Sequence, residues 1–350
     1  MGNQISKVLN MKNGPNPRAV TIYQVAERAG VSIATVSNAL NRPGRVGAAT
    51  RDRVLAIADE LGFVPRLQAV SQARKAMGRI GVVAPFSSYS SFYRRLSGVL
   101  TEAASRFVEV SVFDVESAAT AASPVLAGIP IRGQLDGLIV MGERIEDSIE
   151  RRLFDRGTPT VVVDAPSGRF SSVGTDDVAG GRLAASYLLE LGHRRFGFMI
   201  ERQAMPYESQ ALHRLAGFRQ TLEELSGRSL LVVSSMATVE AARSAAREML
   251  DRADRPDAVL GYFDDLAIGV LLAARDLGIR VPDELAVMGY DDGPAAAAVG
   301  LTSVRQPFEQ TGSVAAQILF SALNGPPQRG VTLLDPSLIE RESTAPARSG

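Results

Sequence analysis

Charged and aromatic residues stand directly after four β-rich runs in the part of the sequence beyond residue 80. They are residues 86–92, Asp164, residues 263–265 and residues 290–292. In open sheets of parallel strands, ligands bind beyond the carboxyl ends of the strands, so these positions predict a binding site. Carboxylates pair with vicinal hydroxyl groups and aromatic rings stack on apolar faces, which favours a sugar or a related metabolite; core packing is the alternative for the rings.

Catalytic chemistry has little support in the same sequence. The chain has no Cys and two His, so thiolate catalysis is excluded and a zinc site is disfavoured. His193 follows the pattern of a helix end, where an imidazole interacts with the helix dipole. We predict no catalytic residue, no metal, no cofactor and no enzymatic activity, with an enzyme of the lobed α/β type as the alternative hypothesis.

The elements that would position these residues alternate between strands and helices. Apolar runs from "IGVVAP" to "ELAVMGYDD" are separated by amphipathic stretches. This alternation predicts parallel sheets covered by helices on both faces. About eight such units are too many for one small sheet, and the pattern alone is also compatible with a (β/α)₈ barrel.

The N-terminal part of the sequence has a different character. Up to Arg79 it carries twelve Lys and Arg against four Asp and Glu, although the whole chain of 350 residues has no net charge. This asymmetry indicates a polyanionic partner, with a solvated Arg-rich surface as the alternative. No apolar run reaches the ~18 residues needed to span a bilayer, so we expect a cytoplasmic protein with no membrane partner.

Residues 21–61 predict three short helices around a small core. Thr21 and Ser32 are suited to cap the first and second helices, and Gly30 is suited to end the first. Because the break between these two helices is only a few residues long, they must cross steeply, as in a helix-turn-helix motif.

In a helix-turn-helix motif the second helix lies in the DNA major groove. There Ile33 and Ala34 would make apolar contacts to bases, and Asn38 could pair with the N6/N7 edge of adenine. The other residues predicted to contact DNA are Thr21, Ser32, Thr35, Ser37, Asn41 and Arg45. A three-helix bundle that binds a protein is the alternative.

The stretch "TIYQVAERAGVSIATVSNALNRPGRVGAATRDRVLAIADELGFVP" resembles the head of the lactose/galactose repressor (LacI/GalR) family. Further stretches, among them "HRLAGFRQTL" and "LGIRVPDELAVMGYDD", extend the resemblance over almost everything after residue 20. It implies a helix-turn-helix head of three helices and an α/β body of two parallel-sheet lobes, similar to periplasmic sugar-binding proteins. Gln24 and Asn38 replace an Asp and an Arg that are common in the family.

The resemblance also implies where an effector binds. Arg214 and Asp291 match effector-contacting positions of the family, with an internal ion pair or a turn cap as the alternative. "SSYSSFY" and Phe263 depart from the family pattern, so we expect a reshaped pocket. The candidate effector-binding residues are Ser87, Tyr89, Phe92, Asp164, Arg214, Phe263 and Asp291. In the connector, the resemblance implies a hinge helix, in which Gln72 replaces the Leu that the family inserts in the DNA minor groove and could hydrogen-bond there; an ordinary linker is the alternative.

Together these observations predict a homodimeric repressor that binds a palindromic operator in double-stranded DNA and responds to a small carbohydrate effector. The alternative is a sugar-binding protein with a degenerate head. The expected organisation is a disordered tail (1–19), a DNA-binding domain (20–62), a hinge (63–79), an effector-binding and dimerisation domain (80–342) and a tail (343–350). Lobe 1 is expected over 80–176 and 306–323, and lobe 2 over 177–305 and 324–342.

Overall fold

A computed structural model describes residues 20–41, 45–61, 63, 78–115, 135–202, 210–226, 230–326 and 329–347. The predictions made for the tail 1–19, for most of the hinge and for Gln72 lie outside these residues. The chain divides into two compact units, one up to Ala76 and one from Met77. Among the residues described, no helix is both long and apolar enough to cross a membrane.

The N-terminal unit contains α1 (Ile22–Ala29), α2 (Ile33–Asn41) and α3 (Ala48–Glu60). The Gln24 side-chain oxygen accepts a hydrogen bond from the Thr21 backbone N–H at 2.8 Å, which closes the start of α1 as a capping box. Gly30 adopts the left-handed conformation (φ 63°) that ends α1. Ser32 Oγ accepts a hydrogen bond from the Thr35 N–H at 3.1 Å and so caps α2.

The three helices of this unit share one small core. Its buried residues are Val25, Ala26, Ala29, Val36, Ala39, Val54 and Ala58. Leu55 lies outside this core, and its side chain is 39% exposed. Val54 and Ala58 define the inward face of α3, and Leu55 lies about 100° away from Val54 around the helix.

The larger unit contains two six-stranded sheets, so the barrel alternative is wrong. The first sheet contains β1 (Arg79–Ala84), β2 (Glu109–Asp114), β3 (Gly137–Met141), β4 (Thr160–Val163), β5 (Ser171–Thr175) and β11 (Val331–Leu334). The second contains β6 (Phe196–Glu201), β7 (Leu230–Ser235), β8 (Ala258–Gly261), β9 (Ala286–Asp291), β10 (Thr302–Arg305) and β12 (Ser337–Ile339). The strand orders are β11-β5-β4-β3-β1-β2 and β12-β10-β9-β8-β6-β7, and only the β10–β12 pair is antiparallel among the described strands.

Helices cover both faces of each sheet. They are α4 (Ser91–Arg106), α5 (Asp147–Asp155), α6 (Asp177–Glu190), α7 (Gln210–Ser226), α8 (Val239–Leu250), α9 (Asp264–Asp276), α10 (Pro294–Ala298) and α11 (Phe308–Asn324). The inner strands of both sheets are rich in Val, Ile, Leu and Met with almost no exposure to water, as expected for parallel strands buried on two faces, whereas the edge strands β2, β7, β11 and β12 are partly exposed.

The chain passes between the two lobes three times. It leaves lobe 1 between β5 and α6, returns between β10 and α11, and crosses again between β11 and β12. The boundary expected at residue 324 is too early, because β11 pairs in parallel with β5, with Val331 opposite Ser172. The last crossing therefore lies at residues 335–336.

Candidate functional site

A cavity of about 210 Å³ lies between the two lobes. It is bounded by Pro85 after β1 and Gly142 after β3 in lobe 1, and by Tyr262 after β8 and Asp291 at the end of β9 in lobe 2. The strand order reverses between β1 and β3 and between β6 and β8, so the cavity lies at the reversal points of both sheets. Ligands of parallel α/β proteins bind at such points.

Arg214 on α7 is a buried, hydrogen-bonded side chain of the cavity wall. It is 4% exposed; its Nε donates to Asp177 Oδ1 at 2.8 Å and its Nη1 donates to the Tyr262 carbonyl at 2.8 Å. Asp291 Oδ1 lies 3.7 Å from Nη1, and the guanidinium lies 3.8 Å from the centre of the Tyr290 ring. Burial disfavours its charged form, but Asp177, Tyr290, Tyr262 and Asp291 together outweigh this effect and raise the pKa of Arg214.

Two glycines allow α6 and α7 to approach closely enough for these bonds. A Cβ atom at Gly181 of α6 would collide with the Arg214 carbonyl, and one at Gly217 of α7 would collide with the Val178 carbonyl. The backbone contact places Asp177, the first residue of α6, beside the guanidinium.

Asp291 and Asp164 occupy matching places at strand ends of the two lobes. Asp291 ends β9 with φ 103° and accepts a hydrogen bond from Gln306 Nε2 at 2.6 Å; Asp164 follows β4 with φ 55°. Burial raises the pKa of both carboxyl groups. The nearby positive charge acts in the opposite direction, from Arg214 at Asp291 and from Arg95 at Asp164. Both side chains line the cavity, as predicted from their positions after strands.

Arg95 is a cavity residue that the sequence reasoning missed. It lies on α4, is 4% exposed, forms an ion pair with Asp164 and packs over the Phe308 ring at 4.2 Å from the ring centre. Arg95 is the fifth residue of α4, as Arg214 is of α7. The repeated segments "RLSG" (95–98) and "RLAG" (214–217) are the signal that could have identified it.

The aromatic residues of the cavity divide between its two sides. Tyr89 and Phe92 of lobe 1 lie edge to face with 6.2 Å between ring centres, and Phe263 of lobe 2 packs likewise against Tyr262 at 5.3 Å. Phe92 is almost fully buried and belongs to the lobe 1 core, whereas Tyr89 and Phe263 are half-buried. Tyr89 and Phe263 therefore have more surface available to a ligand than Phe92 has.

Ser87 does not line the cavity, and its prediction as an effector contact is contradicted. Its backbone N–H donates to Asp114 Oδ1 at 3.1 Å, which turns it toward the end of β2. The neighbouring hydroxyls of Ser88, Ser90 and Ser91 line the cavity instead. The run of four serines around Tyr89 predicts hydroxyls in this loop but not which of them face inward.

Asp264, at the start of α9, also lines the cavity; it lies within the predicted range 263–265 but was not among the candidate effector-binding residues. Its Oδ1 accepts from Ser303 Oγ and its Oδ2 accepts from the Gly293 N–H, both at 2.7 Å. Burial, together with the charge of Asp291, raises the pKa of Asp264 to about 8. Within the described ranges, no cluster of His, Asp or Glu is arranged to hold a metal ion.

Three contacts join the lobes around the cavity. Tyr89 Oη donates to Glu201 Oε1 at 3.0 Å, and Gln210 Nε2 donates to the Asp164 carbonyl. Arg94 of α4 donates across the lobes to the carbonyl oxygens of residues 291 and 292 at 3.4 Å. Glu309 of lobe 1 holds the Arg94 guanidinium at 2.7 Å. A ligand held in the cavity is thus within reach of groups from both lobes.

The N-terminal unit presents the other candidate surface. Val36 and Ala39 hold α2 in the core, and Ile33 in the first turn of α2 is 42% exposed. The side chains of Thr21, Ser32, Ala34 and Arg45 are also exposed, and those of Thr35, Ser37 and Asn38 are half-buried. The side chain of Asn41 is outside the described part of the chain.

These two units define a class of protein: a helix-turn-helix unit joined to a two-lobed, periplasmic-binding-protein-like body with a cleft. Residues 21–66 match the model described as "Bacterial regulatory proteins, lacI family", and residues 185–344 match the "Periplasmic binding protein-like domain". The transcriptional regulator DegA of Bacillus subtilis is 31% identical over 341 residues, covering 93% of this chain and 98% of DegA. The chain belongs to the LacI family of DNA-binding transcriptional regulators.

The chain is also similar to relatives with solved structures. The regulator CelR of Thermobifida fusca is 31% identical over 349 residues, covering 93% of this chain and 98% of CelR. A CelR–cellobiose complex superimposes with a TM-score of 0.66 at 29% identity, over 93% of this chain and 99% of that one. The Lac repressor dimer bound to operator and the anti-inducer ONPF has a TM-score of 0.76 at 26% identity, with coverage of 93% and 99%.

Proposed function

We propose that this protein is a homodimeric repressor whose affinity for a palindromic operator is controlled by a small metabolite, a carbohydrate or a close relative, bound between the lobes. The observation that carries the proposal is that α2 has a buried side, formed by Val36 and Ala39, and an exposed side that includes Ile33. An intact core under an exposed reading face favours DNA binding over a degenerate head.

The exposed side of α2 supports direct reading of bases. Ile33 and Ala34 in its first turn can contact thymine methyl groups, and Asn38, one turn later, can bond to adenine. The exposed Arg45 and the hydroxyls of Thr21 and Ser32 suit contacts to phosphates. The Lac repressor dimer on its operator is the related protein that supports this geometry.

The cavity supports an effector with hydroxyl groups. The carboxylates of Asp291 and Asp164 and the amide of Gln306 can hydrogen-bond to a ligand from both lobes. The aromatic rings of Tyr89 and Phe263 are partly exposed to the cavity. Such a set suits paired hydroxyls on one side of a ligand and an apolar face on the other. The cellobiose complex of CelR is consistent with this ligand class.

An exposed apolar stripe on α4 supports the dimer. Tyr93 and Leu100, seven residues apart, lie on one side of α4 and are 57% and 45% exposed, and Phe107, directly after the end of the helix, is 72% exposed. Val112 on the neighbouring edge strand β2 is 47% exposed. An apolar stripe of this kind is more typical of a helix that packs against a second copy than of a solvated one.

The proposal is tested by measuring DNA binding and ligand binding with the same preparation. The full chain is titrated against labelled fragments of its own genome by fluorescence anisotropy at several salt concentrations. Specific binding with a steep salt dependence, altered by a ligand found in a thermal-shift screen of sugars and nucleosides, supports the proposal. Absence of any fragment bound above the level of random DNA would refute it.

A further inference from the structure

We propose that the effector carries an oxyanion, a carboxylate or a phosphate, which is held in lobe 1 by Arg95 and the N-terminus of α4. This inference rests on the proposed function, because it names the chemical class of the ligand in the cleft. Sugar acids and sugar phosphates belong to this class, and neutral sugars do not.

The first observation is the unfilled bonding capacity of Arg95. Its guanidinium lines the cavity and is buried, yet Asp164 is its one polar partner among the described residues, and its Nε–H has no acceptor. A buried N–H donor without an acceptor is costly, so the Nε–H of Arg95 favours a ligand that offers it an oxygen. An oxygen of the ligand would complete it here.

The comparison between the two lobes explains why Arg95 differs from Arg214. Asp177, the first residue of α6, accepts a hydrogen bond from the Nε of Arg214. The first residue of α11, which packs on α4 in the same way, is Phe308, and it offers Arg95 a ring instead of a carboxylate. The Nε–H of Arg214 in lobe 2 therefore has an acceptor within the protein, whereas the Nε–H of Arg95 in lobe 1 is left for a ligand.

The second observation is the start of α4 in the same wall. This helix has sixteen residues, no acidic residue in its first turn and no side-chain cap, since Ser90 at its N-cap position makes no capping bond. By contrast, α9 and α11 have acidic residues in their first turns. The backbone N–H groups of Phe92 and Tyr93 already donate to the carbonyls of Tyr89 and Ser90, so this helix start favours an anion through its dipole.

Hydroxyl groups complete the subsite. Ser91 and Arg95 are four residues apart and so lie on one side of α4. The hydroxyls of Ser88, Ser90 and Ser91 line the cavity and make no hydrogen bond within the described part of the chain. Hydroxyl donors, a helix start and a guanidinium N–H then converge on one wall, as binding of a carboxylate or a phosphate requires.

The test compares glucose, glucuronate and glucose 6-phosphate, which differ at C6, together with inorganic phosphate. Each is titrated into the full chain at constant ionic strength, with thermal shift and calorimetry as readouts. The inference predicts that at least one anion stabilises the protein and that it binds at least tenfold more tightly than glucose. Whether glucuronate or glucose 6-phosphate binds more tightly distinguishes a carboxylate from a phosphate.

Two variants and one control locate the binding. Arg95→Gln should weaken the anion roughly ten- to a hundred-fold, the size of a charge-assisted hydrogen bond. Ser91→Asp, which suits a helix start and so should fold, should abolish anion binding by repulsion. Ser97→Ala, on the exposed side of the same helix, should leave it unchanged. The inference is overturned if none of the three anions stabilises the protein, or if both variants bind them as the unaltered chain does.

Operator binding measured in the same samples separates this inference from the proposed function. If an anion binds through Arg95 without altering operator affinity, the subsite stands and the regulatory role fails. If operator affinity responds to neutral sugars alone, the regulatory role stands and the subsite fails.

Discussion

Replacing Arg214 with Met should strongly destabilise the larger unit. The substitution leaves two carboxylates, Asp177 and Asp291, without their cation in a buried wall and removes two hydrogen bonds of 2.8 Å. Removing one partner of a buried ion pair costs about 3–5 kcal/mol of the free energy of unfolding. At about 2–4 °C per kcal/mol for a unit of this size, the melting temperature should fall by about 6–20 °C.

The assay is thermal unfolding followed by circular dichroism, with Arg243→Met as the control. Arg243 pairs with Asp276 on an exposed surface, with its side chain 46% exposed, so its removal should cost about 1 kcal/mol or less. The double variant Arg214→Met/Asp177→Leu should recover part of the loss, because one unpaired carboxylate is removed as well. If Arg214→Met lowers the melting temperature no more than Arg243→Met does, the network described here does not hold the lobe together.

Three further predictions address the reading face, the helix contact and the titration of the cavity. Asn38→Ala should reduce discrimination between operator and random DNA by about 1–3 kcal/mol in anisotropy titrations, while Glu60→Gln on α3 should not. Gly217→Ala forces a methyl group against the α6 backbone and should cost about 1–3 kcal/mol or more in thermal unfolding; Gly168→Ala, with no atom within 4 Å of the added carbon, should be nearly neutral. Asp264 in the folded protein keeps a proton that the unfolded chain releases, so stability should fall as pH rises from about 4 to its folded pKa of about 8. The melting temperature of Asp264→Asn relative to the unaltered chain should therefore rise between pH 5 and pH 8, and an unchanged difference would contradict the elevated pKa.

The head could be predicted closely because its signals are local. Thr21 and Gly30 specify where α1 begins and ends, and Ser32 specifies where α2 begins, each through bonds within a few residues. Val36 and Ala39 specify which side of α2 is buried. Each of these features depends on spacing along one helix, which the sequence displays directly.

The body was predictable in its class but not in its pairings. Alternating apolar strands and helices predict parallel sheets, whereas the assignment of β11 to the first sheet depends on pairing with β5, more than 150 residues away. The residues of the cavity were predictable to the same extent. Asp164, Asp291 and Arg214 were found from strand ends or from family resemblance, but the bonding of Arg95 depends on Phe308 and Asp164, which only the folded chain brings to it.

The central claim is that a ligand in the cleft sets the affinity of the head for DNA. Its most direct test is the operator dissociation constant of the full chain, measured by anisotropy with and without a ligand that raises its melting temperature. The account predicts a change of about 5- to 150-fold, equivalent to a coupling of about 1–3 kcal/mol, and its loss in Arg214→Met measured below its melting temperature. A ligand that saturates the cleft and leaves the operator dissociation constant unchanged would contradict it.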